Sequence, residues 1–155
     1  MYTFFRDMYH KYYILRGVTD KLKAFNMDGV KLFGKIVNVY DGDTFRACIH
    51  HNGIVKKLTF RPVGYDTPEM RPLKSIANRE KHIDKAKDAR QKFIEISGGV
   101  GAYVFLQCHM NDKYGRILVT LYKRRNRKRD KSINQLMIES GLANVYDGGK
   151  KLLFI

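Results

Sequence analysis

Val37-Asn38-Val39-Tyr40-Asp41-Gly42-Asp43-Thr44-Phe45-Arg46-Ala47-Cys48-Ile49 reads as two β-strands joined by a tight turn. Leu32 to Tyr40 is rich in Val and Ile and alternates loosely, Asp41-Gly42-Asp43-Thr44 supplies the turn, and Phe45 to Ile49 continues as the returning strand. A second turn at His50-His51-Asn52-Gly53 leads into a strand that ends at Arg61, so the three strands form a meander. Pro62 cannot donate to a ladder and must end that strand or sit at a bulge or edge. Downstream, Arg71 to Ile96 is densely charged, with Ile83, Ala86 and Phe93 at helical intervals before Gly98-Gly99, which predicts a loop and then one long helix. Val100 to Cys108 reads as a fourth strand, Asn111 to Gly115 as a turn and Arg116 to Tyr122 as a fifth strand. Ser132 can then cap a short helix carrying Ile133, Leu136, Met137 and Ile138 to a stop at Gly141. The fold class is therefore mainly β with helices: a small five-stranded barrel, one long inserted helix and one short C-terminal helix, in preference to a doubly wound sheet.

Upstream, Phe4, Phe5, Met8, Tyr12 and Leu15 recur at spacings of three or four between Arg6, Asp7, His10 and Lys11, as in a short amphipathic helix. Such a helix can pack on the domain, insert at a membrane surface or stay loose; packing is the expectation. The chain then divides into an extension over 1–30, one domain over 31–147 and a tail over 148–155.

Composition narrows the partner before it narrows the activity. Thirty Lys and Arg against fifteen Asp and Glu leave +15 over 155 residues, enough to concentrate a polyanion, and nucleic acid leads the candidates. An anionic membrane surface as partner, or a basic structural protein, would account for the same charge. Cys48 and Cys108 are the two cysteines, in separate β-like stretches, which predicts two buried thiols rather than a disulfide framework or a zinc site. The adjacent His50 and His51 read as exposed turn residues. No apolar run approaches the ~20 residues of a membrane span, and charges at Arg6, Asp7, Lys11 and Arg16 leave no signal-peptide core. A monomeric intracellular protein is expected, with Lys123-Arg124-Arg125-Asn126-Arg127-Lys128-Arg129-Asp130-Lys131 serving as a phosphate-contacting loop and a candidate nuclear-localisation patch.

Phosphodiester cleavage needs an attacking oxygen, neutralisation of phosphoryl charge and help for the leaving oxygen. Asp43 and Asp66, both at strand ends, could bring two carboxylates to one hard cation, the Thr67 carbonyl and waters completing its shell. Glu69, three residues beyond Asp66, could orient or deprotonate a water. Arg61 and Arg116 come from different strands and could grip a phosphate bidentately. Taken singly, each of these residues is as well explained by a turn or a surface charge.

Taken in order, Asp41-Gly42-Asp43-Thr44, Phe60-Arg61 through Asp66-Thr67-Pro68-Glu69, Asp112-Lys113-Tyr114-Gly115-Arg116 and Gly141-Leu142-Ala143 resemble the staphylococcal nuclease (thermonuclease) family. The resemblance spans roughly Leu32 to Tyr146. It implies a five-stranded OB-fold barrel and Ca²⁺-dependent hydrolysis of DNA and RNA to 3′-phosphate ends. By the same likeness, Asp43, Asp66 and the Thr67 carbonyl fall on calcium positions, Arg61, Glu69 and Arg116 on catalytic ones, and Lys113 and Tyr114 on contacts to a terminal phosphate. Tyr146 is the candidate for stacking on a base, and Lys123, Arg124, Arg125, Arg127, Lys128 and Arg129 for backbone phosphates. Pro62 departs from the family's usual aliphatic residue. The family's long C-terminal helix has no counterpart here, and the 2–16 helix is expected to cover the surface it leaves. The alternative is a non-catalytic nucleic-acid-binding or scaffold module, but scaffold members of the family lose part of the arginine, glutamate and carboxylate set, and this chain keeps all of it, which favours the enzyme.

Overall fold

The computed structural model describes residues 2–22, 26–123, 130–149 and 154. Five strands, β1 (Lys31–Asp41), β2 (Thr44–His51), β3 (Ile54–Pro62), β5 (Tyr103–Asn111) and β6 (Ile117–Tyr122), close a barrel in the order β1-β2-β3-β6-β5. Between β3 and β5 come the short β4 (Gly64–Asp66) and the long helix α2 (Arg79–Ser97); β6 is followed by α3 (Ile133–Glu139) and β7 (Asn144–Tyr146). β4 and β7 pair as a separate two-stranded sheet, unforeseen in the sequence because three residues are too few to show a period. The five-stranded OB-type barrel stands as expected.

Local chemistry accounts for the joints. Asn52 and Gly53 both take positive φ, 52° and 75°, as a two-residue hairpin requires. The turn is those two residues alone, and His50 and His51 belong to β2 rather than to the turn. Ser132 caps α3 as expected, accepting the Gln135 N–H at 3.1 Å. α2 begins at Arg79, so the charged stretch from Arg71 is loop first and helix second. Inward positions of the strands are apolar: Ile36, Phe45, Phe60, Leu106 and Leu121 are fully buried, and Phe93 of α2 packs its ring 5.6 Å from that of Phe45. Each such side chain contributes about 1.5–3 kcal/mol on burial. Cys108 lies in this core and Cys48 is half-buried on β2.

The seam of the barrel is a parallel pair between β3 and β6, Phe60↔Ile117, Arg61↔Leu118 and Pro62↔Val119. Pro62 ends β3, where its missing N–H breaks no ladder, and Val63 N–H donates to the Val119 carbonyl at 2.9 Å. The buried Asn134 of α3 spans the same seam. Its Nδ2 donates to the Val63 and Val119 carbonyls at 2.8 and 3.0 Å, and its Oδ1 accepts from Leu121 N–H at 2.9 Å.

One expectation fails. The N-terminal segment is helical, α1 (Tyr2–Leu15), but it does not cover the barrel: Phe4, Tyr12 and Leu15 are 70%, 63% and 63% exposed. The core closes without it, through Phe93 of α2, Ile133 and Met137 of α3, and Met27 at the entry to β1. Deleting residues 1–22 should therefore leave the melting temperature within about 1–2 °C, as surface changes do. A fall of many degrees in a calorimetric scan would show that α1 packs after all.

Candidate functional site

The turn between β1 and β2 and the end of β4 are held together by two contacts. Tyr65, fully buried, donates its hydroxyl to the Gly42 carbonyl at 2.8 Å. Gly42 packs so closely on Thr67 that an added Cβ would lie 2.8 Å from Thr67 Cγ2. This brings Asp41, Asp43, Asp66 and Thr67 together, all nearly inaccessible. Arg61, at the β3 end of the seam, donates to Asp43 at 2.7 Å through one arm and to Asp66 through the other. A guanidinium fork can serve two carboxylates at once, which a lysine cannot. Burial pushes the Asp43 carboxyl up to about 8, the nearby Asp41 adding to the rise against the pull of Arg61. Three buried carboxyls, Asp41, Asp43 and Asp66, thus lie around a single guanidinium.

Arg116 enters from the β5–β6 turn. Asp112 organises that turn, accepting the backbone N–H groups of Tyr114 and Arg116 at 2.8 and 2.9 Å and Arg116 Nε at 2.6 Å. Arg116 Nη1 donates to Thr44 Oγ1 at 3.2 Å, and that hydroxyl donates to Asp43 at 3.0 Å. A continuous chain, Asp66–Arg61–Asp43–Thr44–Arg116–Asp112, therefore ties the two arginines into one array. The Tyr114 ring lies beneath both Arg116 and Lys113, at 5.4 and 5.1 Å from their charges.

Burial alone would raise the Asp112 carboxyl, but the hydrogen bonds from Arg116 and the Tyr114 N–H outweigh it and hold it below its ordinary value of 3.8. A lowered carboxylate stabilises the fold above its unfolded pKa, and that contribution disappears as pH falls through the folded one. Between about pH 5 and 3 the urea midpoint should fall more steeply for the wild type than for Asp112→Asn; equal slopes would mean that Asp112 is not the sensitive group.

These residues line a cleft of about 900 Å³. Asp43, Arg61, Thr67, Glu69 and Arg116 all face it, as do Lys113, Tyr114 and Tyr146; Asp66 joins through Arg61. Lys123 is exposed and does not line the cleft, while Arg124, Arg125, Arg127, Lys128 and Arg129 lie outside the described residues. Tyr40, Asp41 and Arg71 also line it and were not singled out by sequence. Asp41 could have been, since its position in Asp-Gly-Asp gives it the Asp43 N–H to accept, at 3.1 Å.

Among the described residues no three His, Cys, Asp or Glu side chains are grouped to hold a metal. What the cleft offers is oxygen: the Asp43 and Asp66 carboxylates, the Thr67 backbone, and a buried Thr67 hydroxyl with no hydrogen-bond partner. An oxygen-only set with surplus buried acid fits a hard divalent cation that keeps several waters, and not zinc.

The whole is an OB-type barrel with an acid-and-arginine cleft at one end of its seam. A model of the staphylococcal nuclease homologue family matches residues 59–151, more than half of the chain, and the chain belongs to that family. Comparison with curated proteins gave no match. Among the described residues no helix is long and apolar enough to cross a membrane.

Proposed function

We propose that this protein is a calcium-dependent nuclease that hydrolyses phosphodiester bonds of DNA and RNA with little sequence specificity and leaves 3′-phosphate ends. The observation that carries the reading is the single array joining Arg61 and Arg116 on the cleft that Glu69 also lines. Calcium, held by Asp43, Asp66 and the Thr67 carbonyl, would supply Lewis-acid charge for the phosphate and the water. Arg116 presents its guanidinium to the phosphoryl oxygens, positioned by Asp112 and Thr44 so that little reorganisation is needed as charge develops. Arg61 shares that role from the same array while pairing with Asp43 and Asp66. Glu69 takes the proton of the attacking water; the P–O5′ bond breaks, and the departing 5′-oxygen takes a proton from solvent. Lys113 and Tyr114 meet the terminal phosphate, Tyr146 offers a face to a base, and the 123–129 run draws in the backbone.

The deciding experiment is cleavage of single-stranded DNA in Ca²⁺ against chelator, with Glu69→Gln in parallel. Calcium-dependent cutting that the variant lacks establishes the enzyme; binding without cutting in any divalent metal leaves a non-catalytic binding module. A separate expectation follows from the donor set. Calcium at a hundred times its Kd should add about 2.7 kcal/mol to stability, which for a domain of this size raises the melting temperature by roughly 5–10 °C. No shift at millimolar calcium would remove the metal from the reading.

A further inference from the structure

Outside the cleft, the outer face of β1, β5 and β6 carries a row of aromatic side chains that the barrel does not need. Inward positions of these strands fill the core, so Phe33, Tyr103 and Phe105 point out. Phe33 and Tyr103 are 51% and 55% exposed and lie nearly parallel, 7° apart, with ring centres 5.3 Å apart. The Phe105 ring lies 4.9 Å from that of Phe33. Tyr122 continues the row, since the register sets Phe33 opposite Phe105 and Phe105 opposite Tyr122. Exposing this much ring costs solubility unless something uses it.

Charge says what that partner is. Lys35 Nζ stands 5.7 Å from the Tyr103 ring, and Lys31 is exposed beside Gln107, its neighbour in the register. No acidic residue occupies an outward position over Lys31–Lys35, Tyr103–His109 or Leu118–Tyr122. The face also continues from the cleft: Leu118 lines the cleft, and Thr120 and Tyr122 follow on the same side of β6. From Leu118 to Tyr122 is about 13 Å of strand, so a polymer whose phosphate sits in the cleft can reach the rings.

We propose that this face is a stacking platform for single-stranded nucleic acid, a binding site separate from the catalytic cleft. Unpaired bases lie on Phe33 and Tyr103 while Lys31 and Lys35 meet the backbone phosphates. Aromatic rings with interspersed cations suit single strands of any sequence, because every base has a π-face and a duplex hides its own. The proposal rests on nucleic acid being the polymer in the cleft, but not on its being cut.

The test is fluorescence anisotropy of a labelled oligo-dT 20-mer with the full chain in chelator, where no cleavage intervenes. The doubly substituted Phe33→Leu, Tyr103→Leu keeps the face apolar and removes the stacking rings. It should bind the 20-mer roughly ten- to a hundredfold more weakly, with blunt duplex binding unchanged and with wild-type turnover of a small nitrophenyl phosphodiester, if the cleft is catalytic. Lys35→Gln, an exposed change that cannot unfold the barrel, should weaken 20-mer binding severalfold and lower its salt dependence. Unchanged 20-mer affinity in both variants overturns the platform, as does an equal loss for duplex and single strand. If the double variant instead abolishes a wild-type dimer in sedimentation and binds DNA normally, the face belongs to a second copy of the chain and the proposal is wrong. A chain that binds through the platform but never cuts would refute only the nuclease reading.

Discussion

Arg116→Ala is expected to lower kcat by about 10²–10³, the loss associated with removing one preorganised donor to developing charge, while the melting temperature barely moves. Arg116 is partly exposed, with 24% of its side chain open to solvent, so its pair with Asp112 contributes little to stability. Arg61→Ala should cost as much in rate and much more in stability, because it leaves Asp43 and Asp66 buried beside each other without a cation. The contrast between the two variants is the informative result. Arg116→Lys should recover little activity, since a point charge cannot hold Asp112, Thr44 and a phosphate in one plane. A loss of only severalfold in Arg116→Ala would move that residue from transition-state stabilisation to ordinary substrate binding.

Asn134→Ala should destabilise the protein by about 3 kcal/mol, because it removes three hydrogen bonds and strands buried backbone groups on both sides of the seam. For a chain of this length that is a fall of roughly 6–12 °C in melting temperature. The short parallel ladder has little else to replace those bonds. Urea unfolding followed by circular dichroism measures the loss directly; a change below about 1 kcal/mol would mean that water takes over the exposed positions.

Much of this was legible before any coordinates. Period-two alternation in β1 and β2 and the Ser132 cap are local signals that appear where the residues place them, and the second turn does too, though narrowed from His50–Gly53 to Asn52-Gly53. Asp43, Arg61, Thr67, Glu69 and Arg116 were named by type and spacing, and the barrel brings them to one cleft. What spacing could not show was connection. Nothing in Thr44 announces that its hydroxyl links Asp43 to Arg116, nor in Asn134 that it spans a seam, because both roles depend on strands distant in sequence. The misplaced expectation has a similar origin: amphipathicity in α1 records an apolar face without saying what, if anything, lies against it.

The parallel seam also bears on when the site comes into being. The Asp41–Asp43 turn and Arg61 leave the ribosome early, but Ile117, Leu118 and Val119, which fix β3 in the barrel, follow more than fifty residues later, with Asn134 later still. Arg116 arrives with them. A nascent chain therefore carries the acids and one arginine through much of its synthesis without the array that joins them. The array that the proposed chemistry needs is thus complete only once β6 has closed the barrel.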